Sequence, residues 1–183
     1  MKNYEAFRKK SISAPELHGI LEKSNMPFDV PVKIEKLIEF LDIKIENKPD
    51  FTKMKVLGSI RIEDNKPIIW INKIANQLNE RRRFTLAHEL GHYMLHLAPL
   101  ASWNNEAFID EKIGFNRDDE WDHREMEANG FAAQLLMPAH IVRDKVNSYT
   151  KKNLPLDIEK ISNEFEVSKV AMKYRLESLG ITS

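Results

Sequence analysis

Residues 79–96 read NERRRFTLAHELGHYMLH, and their spacing is that of a helix with one committed face. Phe84, Ala87, His88, Gly91, His92 and Leu95 fall at i, i+3, i+4, i+7, i+8 and i+11, a single stripe. Side chains at i and i+4 stack on one side of a helix, so His88 and His92 can aim two imidazoles at one ion. Glu89 projects beside them, placed to take a proton from a water that zinc activates. Gly91 sits mid-helix, where glycine costs ~1 kcal/mol against alanine, so it reads as a point where another element comes close. The ordinary alternative is two incidental histidines on a core helix. A glutamate between them and a glycine before the second weigh against it.

Two ligands do not make a catalytic zinc site; a third is needed, with one position left for water. A longer histidine motif would require glycine at position 95 and histidine at position 98, where the chain has Leu95 and Ala98. The stretch Glu125-Met126-Glu127-Ala128-Asn129 offers a carboxylate instead. On a helix from about Asp122 to Met137, Glu125, Ala128, Asn129 and Ala132 share a face. The two alanines let that face approach Ala87 and Gly91, so the reading favours Glu125 as third ligand over Glu127, which points away with Phe131. Asn129, one turn on from Glu125, is placed to hydrogen-bond a ligand histidine from outside. His96 is a competing ligand, although a histidine closing a helix commonly pairs with the terminal carbonyls. His123 and Tyr93 are the candidates for stabilising an oxyanion, while His18 and His140 carry no signal.

Working outward, Ser13-Ala14-Pro15-Glu16 is a capping-box pattern that opens a short helix toward Leu21. A second helix starts at Pro31, with Ile34, Leu37, Ile38 and Leu41 at helical spacing. Ile43–Ile45, Val56–Ile62 and Ile68–Asn72 read as strands, the last two joined as a hairpin through Glu63-Asp64-Asn65. The strand over Lys66–Asn72 reads either as an exposed edge, able to take an extended peptide by strand addition, or as an interior strand. A polar, acidic connection runs from about Ser102 to Asp122, and Pro138 stops the second ligand helix. Leu156 to Gly180 reads as two short helices about Val167-Ser168, with Ser168 an N-cap and Gly180 a stop.

A length of 183 residues fits one ordinary domain, with or without a small appendage. With 42% hydrophobic and 31% charged residues the chain reads as globular rather than disordered. Its 28 basic and 28 acidic residues cancel, which gives no general electrostatic case for nucleic acid or membrane surfaces. There is no cysteine, so disulfides, thiolate nucleophiles and Cys-type zinc sites are excluded. No stretch has the length of a signal peptide or membrane span. The sequence predicts a cytoplasmic protein.

Three blocks, RRRFTLAHELGHYMLH, EMEANGFAAQLLMP and FEVSKVAMKYRLESLG, together with the upstream IIWIN strand, resemble the ImmA/IrrE family of zinc metallopeptidases over roughly residues 30 to 180. The resemblance implies a gluzincin-like site, with His88, His92 and Glu125 on Zn2+ and Glu89 as base. It also implies a substrate, a helix-turn-helix transcriptional repressor whose cleavage switches on mobile-element, phage-related or stress genes. The tail resembles a helix-turn-helix itself, with Lys169, Lys173 and Arg175 on its second helix in the manner of a recognition helix. Glu164, Glu166 and Glu177 dilute that charge. DNA binding is therefore the lesser reading beside a helical subdomain that closes the core or docks the repressor.

The expected fold is α+β: a small, mainly antiparallel sheet packed on the zinc-binding helix and a second ligand helix, with flanking helices and a helical C-terminal tail. Residues 1–150 are expected to form the metallopeptidase domain and 151–183 the tail. The competing function is a non-proteolytic regulator that binds a repressor or DNA and keeps a residual or structural zinc site.

Overall fold

The computed structural model describes residues 6–24, 29–100, 107–109 and 119–181, the stretches 107–109 and 119–122 by their backbone alone. The architecture is α+β, with the described helices packed around a four-stranded mixed sheet. Helix α1 (Ala14–Lys23) opens on the capping box read from sequence: the Ser13 hydroxyl accepts from the Glu16 amide, and the Glu16 carboxylate accepts from the Ser13 amide at 2.8 Å. Helix α2 (Ile34–Phe40) starts three residues after Pro31 and buries Ile34, Leu37 and Ile38.

The strands are β1 (Lys44–Lys48), β2 (Gly58–Glu63) and β3 (Lys66–Asn72). The hairpin between β2 and β3 closes through Asp64 and Asn65 at φ of 50° and 58°, with Glu63 opposite Lys66. Asp and Asn tolerate that left-handed conformation, which gives the turn a twist matching the strands it joins. β3 also pairs in parallel with β1 and so lies between β1 and β2. The Lys66–Asn72 strand is therefore interior and offers no free edge, which answers the alternative left open above. The fourth strand, β4 (Ala107–Ile109), pairs antiparallel with Ser59–Arg61 of β2. It lies inside the acidic connection, where three residues are too few to show a period; most of that connection is outside the described residues.

Helix α3 (Asn79–His92) packs on β2 and β3 and runs directly into a π-helical segment, Tyr93–Leu97, whose i to i+5 bonding includes the Ala98 amide to the Tyr93 carbonyl at 2.8 Å. Helix α4 (Asp119–Leu136) crosses α3 in the most extensive contact between any two helices. A Cβ added to Gly91 would stand 3.1 Å from the Ala128 carbonyl oxygen and 3.2 Å from the Ala128 Cα and the Phe131 Cβ. The mid-helix glycine is there because the α4 backbone occupies the space a side chain would take.

Helix α5 (Ala139–Lys151) falls in a stretch with no element predicted above. Its apolar stripe is thin, with Val142 fully buried and Ile141, Val146 and Tyr149 only partly. Helices α6 (Ile158–Phe165) and α7 (Lys169–Ser178) follow, N-capped by Asp157 and Ser168 as the side chains dictate. Glu166 between them is left-handed at φ 51°, and Gly180 closes α7 at φ 70°. Ile161, Phe165, Met172 and Leu176 enter the same hydrophobic cluster as Leu86 and Leu90 of α3. No helix among the described residues is long and apolar enough to cross a membrane.

The close approach at Gly91 generates a stability prediction. Gly91→Val is expected to lower stability by about 1–3 kcal/mol through overpacking against backbone that cannot move aside, read as a lower midpoint in urea unfolding. An unchanged midpoint would show that α3 and α4 are free to separate.

Candidate functional site

The site is built where α3 and α4 cross. His88 and His92 lie one turn apart on α3, with ring centroids 4.6 Å apart and planes at 81°. Their Nε2 atoms approach to 3.0 Å. From α4, Glu125 brings Oε2 to 3.3 Å from His88 Nε2 and Oε1 to 2.9 Å from His92 Nε2. One ligand atom from each of the three residues lies within 4.8 Å of the others. Both imidazoles are buried, and Glu125 is mostly so.

This donor set suits a divalent cation. Nitrogen and oxygen ligands at about 2.0–2.1 Å in tetrahedral array are separated by about 3.3 Å, close to the three spacings found here. The proton positions agree. His88 Nδ1 lies 3.0 Å from the Asn129 side-chain oxygen, an acceptor, so that nitrogen carries the hydrogen and Nε2 turns a lone pair inward. Burial pushes the Glu125 carboxyl upward, but its contacts with the His88 and His92 rings outweigh it and hold it at about 2. It is a carboxylate at neutral pH. Two imidazole nitrogens and an anionic oxygen converging on one point form a group that could hold a divalent cation.

Glu89 sits on the neighbouring face of α3 with no solvent exposure. Its carboxylate lies against Gly58 at the start of β2: a Cβ there would stand 2.8 Å from Glu89 Oε1, 2.9 Å from Thr85 Cγ2 and 3.1 Å from the Trp70 carbonyl oxygen. A buried polar network keeps β2 at that distance. The Thr85 hydroxyl meets the Asn76 side-chain oxygen at 2.8 Å, and Asn76 Nδ2 donates to the Leu57 carbonyl at 2.7 Å and to the Asn72 carbonyl at 2.9 Å. Asn72 in turn donates to the Lys53 carbonyl at 2.9 Å. Satisfied buried networks of this kind fix backbone positions.

The fold thus brings together His88, His92, Glu125 and Asn129. Glu127 turns outward and meets His96 Nε2 at 3.1 Å and His123 Nδ1 at 3.4 Å. Of the two oxyanion candidates, Tyr93 is wholly buried in the hydrophobic core, and His123 is exposed. Burial lowers the His96 pKa against the opposing effect of Glu127. Arg175, expected on the outer face of the tail, is half-buried and donates to the Met137 carbonyl at 2.9 Å, and Lys169 pairs with Glu159. Gly58 was not singled out from sequence. The signal was a glycine opening a strand pattern, which marks close approach of another group.

Residues 39–177 match the peptidase family described as the IrrE N-terminal-like domain. The chain belongs to this family. The IrrE N-terminal-like match takes in α3 and α4 whole, and so every residue of the site. The chain is also 35% identical over 94 residues to the uncharacterized immunity region protein 2 of Bacillus phage phi105. That alignment covers 51% of this chain and 52% of the phage protein, so the chain spans about half the length of that relative.

For this IrrE N-terminal-like site, Glu125→Ala is expected to weaken zinc binding by more than a hundredfold, beyond the roughly 10–100-fold typical of an outer hydrogen-bond partner. Competition against a chromophoric chelator measures it, and undiminished affinity would remove Glu125 from the ligand set.

Proposed function

We propose that this chain is a zinc-dependent endopeptidase that cleaves a helix-turn-helix transcriptional repressor and so lifts repression of mobile-element, phage-related or stress genes. The observation carrying the reading is the convergence of His88, His92 and Glu125 beside a buried Glu89. Membership of a peptidase family supports the hydrolytic part, and similarity to a protein named for a phage immunity region supports the regulatory part.

His88, His92 and Glu125 would hold the zinc ion, which when bound polarises a carbonyl and acidifies water. The remaining chemistry belongs to the chain. Glu89 accepts a proton from the attacking water as its oxygen bonds to the scissile carbonyl carbon. It then delivers that proton to the amide nitrogen as the carbon–nitrogen bond breaks. Gly58, Thr85 and the Asn76 network set where the carboxylate stands while it does so. Of the two oxyanion candidates His123, which is exposed, is retained, because Tyr93 would have to leave the core to reach a substrate. Among the described residues no strand covers the outer side of β4, whose inner side pairs with β2 one residue beyond Gly58. An extended segment adding there would be recognised mainly by its backbone.

Glu89→Gln is expected to retain zinc and lower cleavage of the cognate repressor by about 10²–10⁴-fold, read by mass spectrometry of the fragments. Full cleavage by that variant would end the mechanism. Gly58→Ala, which forces the Glu89 carboxylate aside, is expected to keep zinc and lose about tenfold or more in kcat. An unaffected rate would show that the cradle has no part in placing the base.

A further inference from the structure

The loop that leads from β1 into β2 holds two large apolar side chains in water on a fixed backbone. Phe51 is 75% exposed, the most of any large apolar side chain among the described residues, and Met54 is 63% exposed. The backbone beneath them is tied at both ends. Asp50 Oδ1 accepts from the Thr52 amide at 2.9 Å, the Thr52 hydroxyl at 2.6 Å and the Lys53 amide at 3.2 Å. Buried Asn72 donates to the Lys53 carbonyl at 2.9 Å and the Asp50 carbonyl at 3.3 Å, and accepts from the Asp50 amide at 3.2 Å. Val56, fully buried, closes the loop through its amide on the Lys53 carbonyl at 3.0 Å. Exposed apolar side chains close together mark a contact surface, and an ordered backbone loses little entropy when a partner is bound. Cations accompany them. Lys53 and Lys55 in the loop and Lys73 next to Asn72 are all exposed, and none forms a salt bridge among the described residues. Elsewhere on the sheet such charges are matched: Lys44, Lys48 and Arg61 meet Glu46 at 2.7, 3.7 and 3.0 Å.

We infer that this loop is a docking surface for the protein substrate, taking an acidic segment with apolar side chains close to the scissile bond. The inference rests on the endopeptidase reading above and adds to it the chemistry of the segment recognised. The loop ends where the base stands. Asn76 holds the Leu57 carbonyl at 2.7 Å, and the next residue, Gly58, abuts the Glu89 carboxylate. Lys55 precedes Gly58 by three residues, so at most ~11 Å of backbone separates them. An extended substrate advances about 3.3 Å per residue, which puts the loop within roughly four residues of a bond cleaved beside Glu89. Lysines without matched anions attract carboxylates, and Phe51 and Met54 take apolar side chains, methionine adapting its shape to what it meets. Rival surfaces fit less well. Two apolar side chains anchor weakly in a lipid surface, and the chain has zero formal net charge to add to them. Three lysines make a small electrostatic footprint for a nucleic acid.

Two double variants test it, Phe51→Ser with Met54→Ser and Lys53→Glu with Lys55→Glu. All four side chains are exposed, so the urea midpoint is expected to stay at the wild-type value in both. The first probe is a short fluorescein-labelled peptide of glutamate and leucine, followed by anisotropy on metal-free protein and therefore independent of hydrolysis. Wild type is expected to bind it, each double variant about tenfold or more weakly, and the lysine–leucine counterpart is expected not to bind. The second measurement is cleavage of the repressor by zinc-loaded protein, where the charge-reversed variant is expected to raise KM about tenfold at unchanged kcat. Failure of the acidic peptide to bind overturns the docking surface, as does undiminished affinity in either double variant or an unchanged KM. Loop-dependent binding of phosphatidylglycerol vesicles or a single-stranded oligonucleotide in place of the acidic peptide also overturns it. Wild type that holds the acidic peptide through the loop but cleaves no repressor would instead end the endopeptidase reading and leave an acidic-peptide docking surface standing.

Discussion

Everything at the centre of this protein depends on two helices touching backbone to backbone. α3 carries two histidines on one face, but a carboxylate from α4 reaches them only because Gly91 presents no side chain and Ala128 no more than a methyl between the axes. The crossing is set by packing rather than by the polar groups it unites. Leu86, Leu90, Phe131, Ala132 and Leu135 are buried in one cluster, and the hydrophobic contribution of such a cluster exceeds what three partly desolvated polar side chains cost. The site is therefore assembled by the core and sits at its margin.

Both sides of the site are braced, by different chemistry. Toward the sheet, the Asn72, Asn76 and Thr85 network ties the start of β2 to α3 and fixes the space in which the Glu89 carboxylate stands. Toward α4, Asn129 and the His96–Glu127 pair stand behind the imidazoles. Reaction geometry tolerates little displacement, and supporting hydrogen bonds supply the precision that a single helix face lacks.

What could be read from sequence followed from how local the signal was. The stripe from Phe84 to His92, the capping box at Ser13 and the Asp64-Asn65 turn declare themselves within a few residues and are found where expected, while Leu95 and His96, read as continuing the α-helix, fall in the π-helical segment. Glu125 was legible because Ala128 and Ala132 share its face, so the sequence itself announced a close approach. β4 was not legible, since a strand of three residues exists only through its partner on β2. The interior position of β3 likewise depends on β1 returning in parallel, a long-range fact with no local mark. Gly58 has meaning only once β2 is in place.

Arg83 gives the C-terminal helices a role in this arrangement. It lies on α3, 3% exposed, and its guanidinium donates to the Phe165 and Glu166 carbonyls and pairs with the Glu166 carboxylate at 3.2 Å. The left-handed backbone at Glu166 turns those acceptors toward it. Peeling α6 and α7 away would break these bonds and bare to water the apolar residues Ile161, Phe165, Met172 and Leu176. The outward side chains of α7, Val170, Lys173 and Tyr174, stand on the far side of this attachment from α3. The C-terminal helices are thereby fastened to the very helix that bears the two histidines.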